Sequence, residues 1–318
     1  MHDRYEDMYQ AATRYYIQGE TMESIARQLT LSRSSISRLL KEARDSGLVR
    51  ISLADHVGSQ SPLAARLGEA FGVRVHLVAV RDSANENQRF EQVSRLAGRI
   101  LTEAVGDHQL IGVAWGVTMA HVSRHLGRRP LVGSTIVQMN GGANQRSSGI
   151  PYIGEILQAI GDAFDSKVVL FPVPAFFDYA ATKDAMWRER SVQNVLRLHA
   201  ELDLAVFGVG SLQGIVPSHV YSTGYMDAED IQRLAADGVV GDVCTVLLRE
   251  DGSYEDIDYN SRATGLTPAE LRRIPRRICV VADPSRAPAA VGALRAGTAT
   301  DLVIDEGTAR AIELRARL

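Results

Sequence analysis

A chain of 318 residues, 45% apolar and 23% charged, is long enough for about two domains and too apolar to stay disordered. Its formal net charge of -3 excludes a globally basic nucleic-acid binder, so any DNA affinity must rest on local charge. No apolar run approaches the roughly 20 residues of a membrane-spanning helix, and the polar opening Met1-His2-Asp3-Arg4-Tyr5-Glu6 lacks a signal-peptide core. With Cys244 and Cys279 far apart and expected as reduced, buried thiols, these features predict a cytoplasmic protein with no membrane partner.

Residues 1–54 read as an all-α unit. A first helix is expected over Asp3–Gln18, stopped by Gly19. Thr21 can cap a second, Met22–Leu29, and Ser32 a third, Arg33–Ala43, with Ile36, Leu39 and Leu40 on one side. Ala26 is small where two helices must cross, and Thr30-Leu31-Ser32 is long enough only for a tight turn, which is the spacing of a helix-turn-helix. Thr30 stands where glycine usually supplies a left-handed conformation, so strain is expected there.

The outer face of the third helix carries Ser32, Arg33, Ser34, Ser35, Ser37, Arg38 and Lys41. From Arg27 to Arg50 six basic residues (Arg27, Arg33, Arg38, Lys41, Arg44, Arg50) stand against two acidic ones (Glu42, Asp45), a local excess of four positive charges. Such a helix fits a major groove, where arginine pairs with guanine and serine reaches a base edge or phosphate. The alternating run Leu48-Val49-Arg50-Ile51-Ser52-Leu53 predicts a wing.

The polar stretch 55–62, rich in Gly, Ser and Pro, is the expected linker. Residues 63–318 then alternate short Val/Ile-rich runs with helical patterns. Strands are expected at Val73–Val80, Gln109–Trp115, Ser134–Met139, Lys167–Phe171, Leu202–Gly208, Val243–Leu248, Arg277–Ala282 and Leu302–Ile304. Helices are expected at Leu63–Phe71, Gln88–Val105, Val117–Leu126, Ile153–Phe164, Ala287–Ala296 and Glu306–Ala316. This pattern predicts an α/β, doubly wound, mostly parallel sheet.

Ligands in such sheets bind at the carboxyl ends of strands. That selects Gly116, Val117 and Thr118 at a strand–Gly–helix junction, Asn140-Gly141-Gly142, Gly210, Asp242 and Arg286 as candidate binding residues. Gly208 and Gly210 are followed by Gly214, which breaks the G-x-G-x-x-G spacing, so no dinucleotide cofactor is expected. His121 and His125 stand i, i+4 on a helix but read as two surface histidines rather than a metal site. Phe171, Phe176, Phe177, Tyr179 and Trp187 could wall a pocket, form an oligomer interface or pack a core.

On these residues the chain resembles the SorC family of sugar-binding transcriptional regulators. The likeness runs through Leu31-Ser32-Arg33, Gly112-Val113-Ala114-Trp115-Gly116-Val117-Thr118, Met139-Asn140-Gly141-Gly142 and Pro172-Val173-Pro174-Ala175. It continues in Asp203-Leu204-Ala205-Val206-Phe207-Gly208-Val209-Gly210, Gly238-Val239-Val240-Gly241-Asp242 and Leu302-Val303-Ile304-Asp305-Glu306. The resemblance implies an effector domain similar to sugar-phosphate isomerases and deaminases, a homotetramer and palindromic or repeated operators. Gly116 and Thr118 would cradle the effector, with Asn140, Gly141, Gly142 and Asp242 lining its pocket. Some relatives carry lysine where Asn140 stands and can form a Schiff base; asparagine cannot, which implies reversible binding. Arg286 could pair a phosphate bidentately, while Asp283 beside it opposes an anion, leaving sugar phosphate and free sugar or polyol both open.

Together these features predict a non-enzymatic, DNA-binding regulator of carbohydrate or polyol metabolism. Its operator affinity would be set by a bound sugar, polyol or sugar phosphate, without a cofactor or metal. The alternative is an isomerase- or deaminase-like enzyme using Asp242 as general base.

Overall fold

The computed structural model describes residues 4–49, 61–80, 84–144, 147–212, 214, 218–222 and 224–318. The chain divides into two compact units, Met1–Ser59 and Gln60–Leu318.

In the first unit, α1 (Arg4–Ala12) continues through Thr13–Ile17 in a wider turn, in which the Gln18 amide donates to the Thr13 carbonyl five residues back at 3.1 Å. The single helix expected over Asp3–Gln18 is therefore two stretches of different pitch. Gly19, at φ 70°, ends the run. Helix α2 (Met22–Gln28) begins where the Ser24 amide donates to Thr21 Oγ1 at 3.2 Å, and α3 (Arg33–Asp45) where the Ser35 amide donates to Ser32 Oγ at 3.1 Å. Each cap satisfies a donor that the first helical turn leaves open. Met8, Ala11, Ile25, Ala26, Ile36, Leu40 and Ala43 are buried together. Thr30 sits at φ 57°, the left-handed geometry expected of that turn. Leu48 and Val49 pack against this core, while the rest of the expected wing, from Arg50, lies outside the described residues. So does most of the expected linker.

The second unit contains β1 (Arg74–Val78), β2 (Leu110–Val113), β3 (Thr135–Gln138), β4 (Lys167–Val169), β5 (Leu204–Gly208), β6 (Gly210–Ser211), β7 (Val239–Val243), β8 (Val246–Arg249), β9 (Arg276–Val281) and β10 (Asp301–Asp305). Its helices are α4 (Pro62–Phe71), α5 (Glu86–Ala104), α6 (Val117–Ser123), α7 (Ile150–Phe164), α8 (Ala180–Met186), α9 (Arg190–Ala200), α10 (His219–Ser222), α11 (Ala228–Ala236), α12 (Pro268–Leu271), α13 (Ala287–Arg295) and α14 (Glu306–Ala316).

Seven strands form one sheet in the order β1-β10-β9-β5-β2-β3-β4, and every pairing is parallel. From β2 the chain steps outward to β3 and β4, then returns to β5 and steps the other way to β9 and β10. The winding reverses between β2 and β5, which opens a crevice at their carboxyl ends. Apolar side chains bury both faces: Phe207, Cys279 and Ile304 pack with Leu67, Val195 and Ile312, while Val206, Val280 and Val303 pack with Leu101, Val122 and Leu157. Continuous Val/Ile runs follow from that double burial.

The single strand expected over Val243–Leu248 is corrected to two. The chain turns at Cys244-Thr245, so β7 and β8 form an antiparallel hairpin in a separate three-stranded sheet, β6-β7-β8. Both turn residues have positive φ, 51° and 67°, as a two-residue hairpin loop of the primed type demands. Neither is Gly, Asn or Asp, so the usual turn signal was missing from the sequence.

Candidate functional site

A partly open cavity of about 60 Å³ lies at the carboxyl ends of β2, β3 and β5, walled on one side by the β6-β7-β8 sheet. Seven of the nine expected binding residues line it: Gly116, Val117, Thr118, Asn140, Gly210, Asp242 and Arg286. They come from separate stretches of chain, which the winding reversal brings together.

Gly116 holds φ 151°, a region closed to side chains, while a Cβ there would meet nothing within 4 Å. Backbone geometry, not crowding, therefore requires glycine at the turn that starts α6. At the ends of β5 and β6 crowding decides. A Cβ on Gly208 would stand 2.9 Å from Thr118 Oγ1, and one on Gly210 would stand 1.8 Å from Asp242 Oδ1. These glycines let the protein's own polar side chains lie against the strand ends.

Asp242 is 5% exposed. Tyr221 Oη donates to its Oδ1 at 2.8 Å, and the Thr245 amide donates to its Oδ2 at 3.0 Å. Burial pushes the carboxyl above its usual value, opposed by those two bonds and by the Arg286 charge. Arg286 is equally buried. Its Nη1 donates to the Val209 carbonyl at 2.7 Å and to Ser218 Oγ at 3.2 Å, and its guanidinium lies 5.7 Å from the Phe90 ring centroid. Burial lowers its affinity for the proton, with Asp283 and Asp242 acting the other way; arginine stays a cation regardless. Arg286 Nη1 is thus taken up by protein acceptors, and its Nε lies 3.9 Å from Asp283 Oδ2.

Asn140 is 2% exposed. Its carbonyl accepts from Trp115 Nε1 at 3.2 Å and Gln138 Nε2 at 2.7 Å, which fixes the backbone. Its side-chain Oδ1 is buried with no hydrogen-bond partner, a cost of about 1–3 kcal/mol that a ligand donor can remove. Gly141 and Gly142 lie outside the lining. A Cβ on Gly141 would meet the Pro174 carbonyl at 2.2 Å, and one on Gly142 would meet Ile153 Cδ1 at 1.9 Å. Their lack of a side chain lets Pro174 and Ile153 pack against the backbone there.

Sequence reasoning missed Ser218, His219 and the Cys244-Thr245 turn, all in the lining, and Tyr221 behind Asp242. None has a spacing signal: Ser218, His219 and Tyr221 come from α10 and the residue before it, and Cys244-Thr245 from the β7–β8 turn. Of the five aromatic residues singled out in the sequence, none lines this cavity; Phe171 and Phe177 pack on Trp187, and Phe176 packs on Tyr259. His121 and His125 are half-buried rather than on the surface. One stacks on Phe90 and the other bonds Glu91 at 3.0 Å. Among the described residues no three metal-ligating side chains converge, and no helix is long and apolar enough to cross a membrane.

In the first unit, Ser32, Arg33, Ser34, Ser37, Arg38 and Lys41 are exposed along α3, and Ser35 is half-buried. Ser32 Oγ is shared with the Ser34 and Ser35 hydroxyls at 2.8 Å each. Arg33 lies 3.6 Å from Glu23. Arg38 and Lys41 form no ion pair among the described residues.

A parallel doubly wound sheet with a strand-end cavity that presents Thr118, Asn140, Asp242 and Arg286 defines a ligand-binding α/β domain. Residues 55–312 match the family described as "Putative sugar-binding domain". The chain belongs to this family, that of the SorC-type sugar-binding transcriptional regulators. It is 28% identical over 303 residues to the "Deoxyribonucleoside regulator" of Bacillus subtilis (strain 168), covering 95% of this chain and 96% of that one. Among solved structures, "a domain of a possible sugar-binding transcriptional regulator" from Arthrobacter aurescens TC1 is 46% identical, with a TM-score of 0.75 over 81% of this chain and 99% of that one. The full-length sorbitol operon regulator SorC from Klebsiella pneumoniae, 21% identical, shares the fold with a TM-score of 0.74 over 98% of this chain and 99% of that one.

Proposed function

We propose that the chain is a DNA-binding transcriptional regulator whose effector is a small, unphosphorylated polyhydroxyl compound held in the strand-end cavity. The observation that carries the effector reading is the buried, unpartnered Asn140 Oδ1 in a cavity that also presents Asp242. Both are acceptors, and vicinal hydroxyls are the donors that suit them. The cavity's cation, Arg286, already donates to Val209 and Ser218. A phosphate would have to draw it away, next to two buried carboxylates. Room of about 60 Å³ holds about five waters, so a sugar or polyol entering it displaces lining groups. That displacement is the route by which binding changes the protein's conformation, and so its affinity for DNA.

The α2–turn–α3 geometry supports the DNA half of the reading. Arg38 and Lys41 project from α3 without ion-pair partners among the described residues, Ser32 to Ser37 stand at its N-terminal end, and a homotetramer would present four such helices to repeated operator sites. Replacing Arg38 with Ala should cost about 1–3 kcal/mol on operator DNA if it reads a base, and the same amount on random DNA if it contacts phosphate. An isomerase or deaminase reading has less support: Asp242 is engaged by Tyr221 and Thr245, and the relatives are named as regulators.

Thermal melting against free sugars, polyols and their phosphates tests the effector. A ligand at 100 times its Kd stabilises the fold by about 2.7 kcal/mol. A shift with an unphosphorylated compound, lost in Asn140→Leu, is the expected result. A shift confined to phosphates would overturn the effector assignment and leave the DNA reading in place.

A further inference from the structure

A second cavity, of about 320 Å³, opens beside α8, α9 and α12 and takes no part in the site above. Its size is that of small-molecule sites in general. Trp187, Leu196, Leu266 and Ile274 supply apolar walls, and Lys183 and Arg273 supply charge.

The Lys183 charge is poorly answered. Lys183 is half-buried, and among the described residues its Nζ reaches one acceptor, the Ala263 carbonyl at 3.4 Å, while standing 5.8 Å from the Trp187 ring centroid. An ammonium has three donors, and a cation over an aromatic face gains part of what a counter-ion would give. Burial pulls its pKa down, with Asp184 and Glu270 acting on it only from longer range. Arg273 is exposed and forms no ion pair among the described residues. The acid in the lining, Glu270, is engaged elsewhere: the Thr267 amide and hydroxyl donate to its Oε2 at 2.8 and 2.7 Å.

Two walls of this cavity are bonded to the Asn140–Gly141 segment. His199 Nε2 donates to the Gln138 carbonyl at 2.8 Å, and Gln138 Nε2 donates to the Asn140 carbonyl at 2.7 Å. Separately, the Gly141 amide donates to Thr264 Oγ1 at 3.1 Å. His199 and Thr264 line the second cavity, and Asn140 lines the first.

We propose that the second cavity binds a small organic anion with an apolar body, and that its occupancy acts on the first cavity through Gln138, Asn140 and Gly141. The anion would sit between the Lys183 ammonium and Arg273 with its body on Trp187. Nothing in this depends on the first cavity taking a sugar.

The chain's two tryptophans report on the two cavities separately, Trp115 on the first and Trp187 on the second. Benzoate is titrated into the full-length Trp115→Phe variant while Trp187 emission is followed. The expected result is a saturable change, with Kd raised about tenfold in Lys183→Met, which removes a charge-assisted bond. Should Trp115→Phe fail to fold, calorimetry of benzoate with the unmodified chain and with Lys183→Met alone measures the same change in Kd. In Trp187→Phe, calorimetry first fixes the Kd for benzoate, and Trp115 emission should shift over that range. A silent Trp115 where calorimetry shows binding overturns the coupling, and no binding in this variant overturns the site's stated geometry. No saturable response, or one that Lys183→Met leaves unchanged, overturns the site. Trp187 emission that depends on protein concentration without benzoate assigns the cavity to a second copy of the chain and overturns it too.

Discussion

Each unit puts a threonine in the left-handed backbone region at a tight turn, Thr30 between α2 and α3 and Thr245 between β7 and β8. Thr30 is exposed, and its side chain lies outside the buried core of its unit. Thr245 is 1% exposed; its amide donates to Asp242, its hydroxyl donates to the Cys244 carbonyl at 2.5 Å, and Gly265 packs against the same carbonyl. A β-branched residue at positive φ costs about 1–2 kcal/mol in either place. In the first unit the surroundings add little that would offset this cost. In the second, tertiary contacts over-determine the geometry, and the turn they hold forms part of the cavity wall.

The largest test of that contrast is Gly265→Ala. A Cβ would stand 1.6 Å from the Cys244 carbonyl, so the turn must move, and urea unfolding should show a loss of about 3 kcal/mol or more. A neutral result would mean that the turn is not held from behind. Asp242→Asn should cost about 1–2 kcal/mol, because an amide offers one acceptor where Tyr221 and Thr245 need two. It should also change the pH dependence. Burial raises the folded-state pKa of Asp242 above its unfolded value, so the folded form holds the proton more tightly. Its contribution to stability is greatest below the unfolded pKa and falls as pH rises through the window up to the folded one. The asparagine variant should lack that fall when stability is measured against pH.

Glycine substitutions at the two threonines should then diverge in sign. Thr245→Gly relieves strain but empties a buried position and removes a hydrogen bond, for a net loss of about 1–2 kcal/mol. Thr30→Gly relieves the same strain with nothing buried to lose. It should raise the unfolding free energy of its unit by about 1 kcal/mol. Equal effects at the two sites would show that the surroundings of Thr245 contribute nothing.

Much of this was legible from the residues. Thr21 and Ser32 announce α2 and α3 because capping is local, and the length of Thr30-Leu31-Ser32 leaves room for little but a tight turn. Val/Ile runs between helical patterns announce parallel strands, since burial on both faces leaves no polar alternation. Strand-end position picked out Thr118, Asn140, Gly210 and Asp242, which the winding reversal then brought together. Gly141 and Gly142, picked out by the same rule, stand outside that lining and against Pro174 and Ile153, because a glycine beside a ligand and one beside packed protein look alike in a sequence.

The amino-acid sequence by itself determined α2 and α3 of the first unit, most strands of the parallel sheet and the loops from which a site could be built. Those features depend on periodicity, caps and turn chemistry within a few residues of one another. Only the tertiary structure decided that Cys244-Thr245 turns, that Arg286 faces Val209 and Ser218, and that Asn140 Oδ1 is left without a donor. Each of these depends on a partner tens of residues or more away, or on the lack of one, and no local pattern encodes what will be packed against a residue once the sheet has closed.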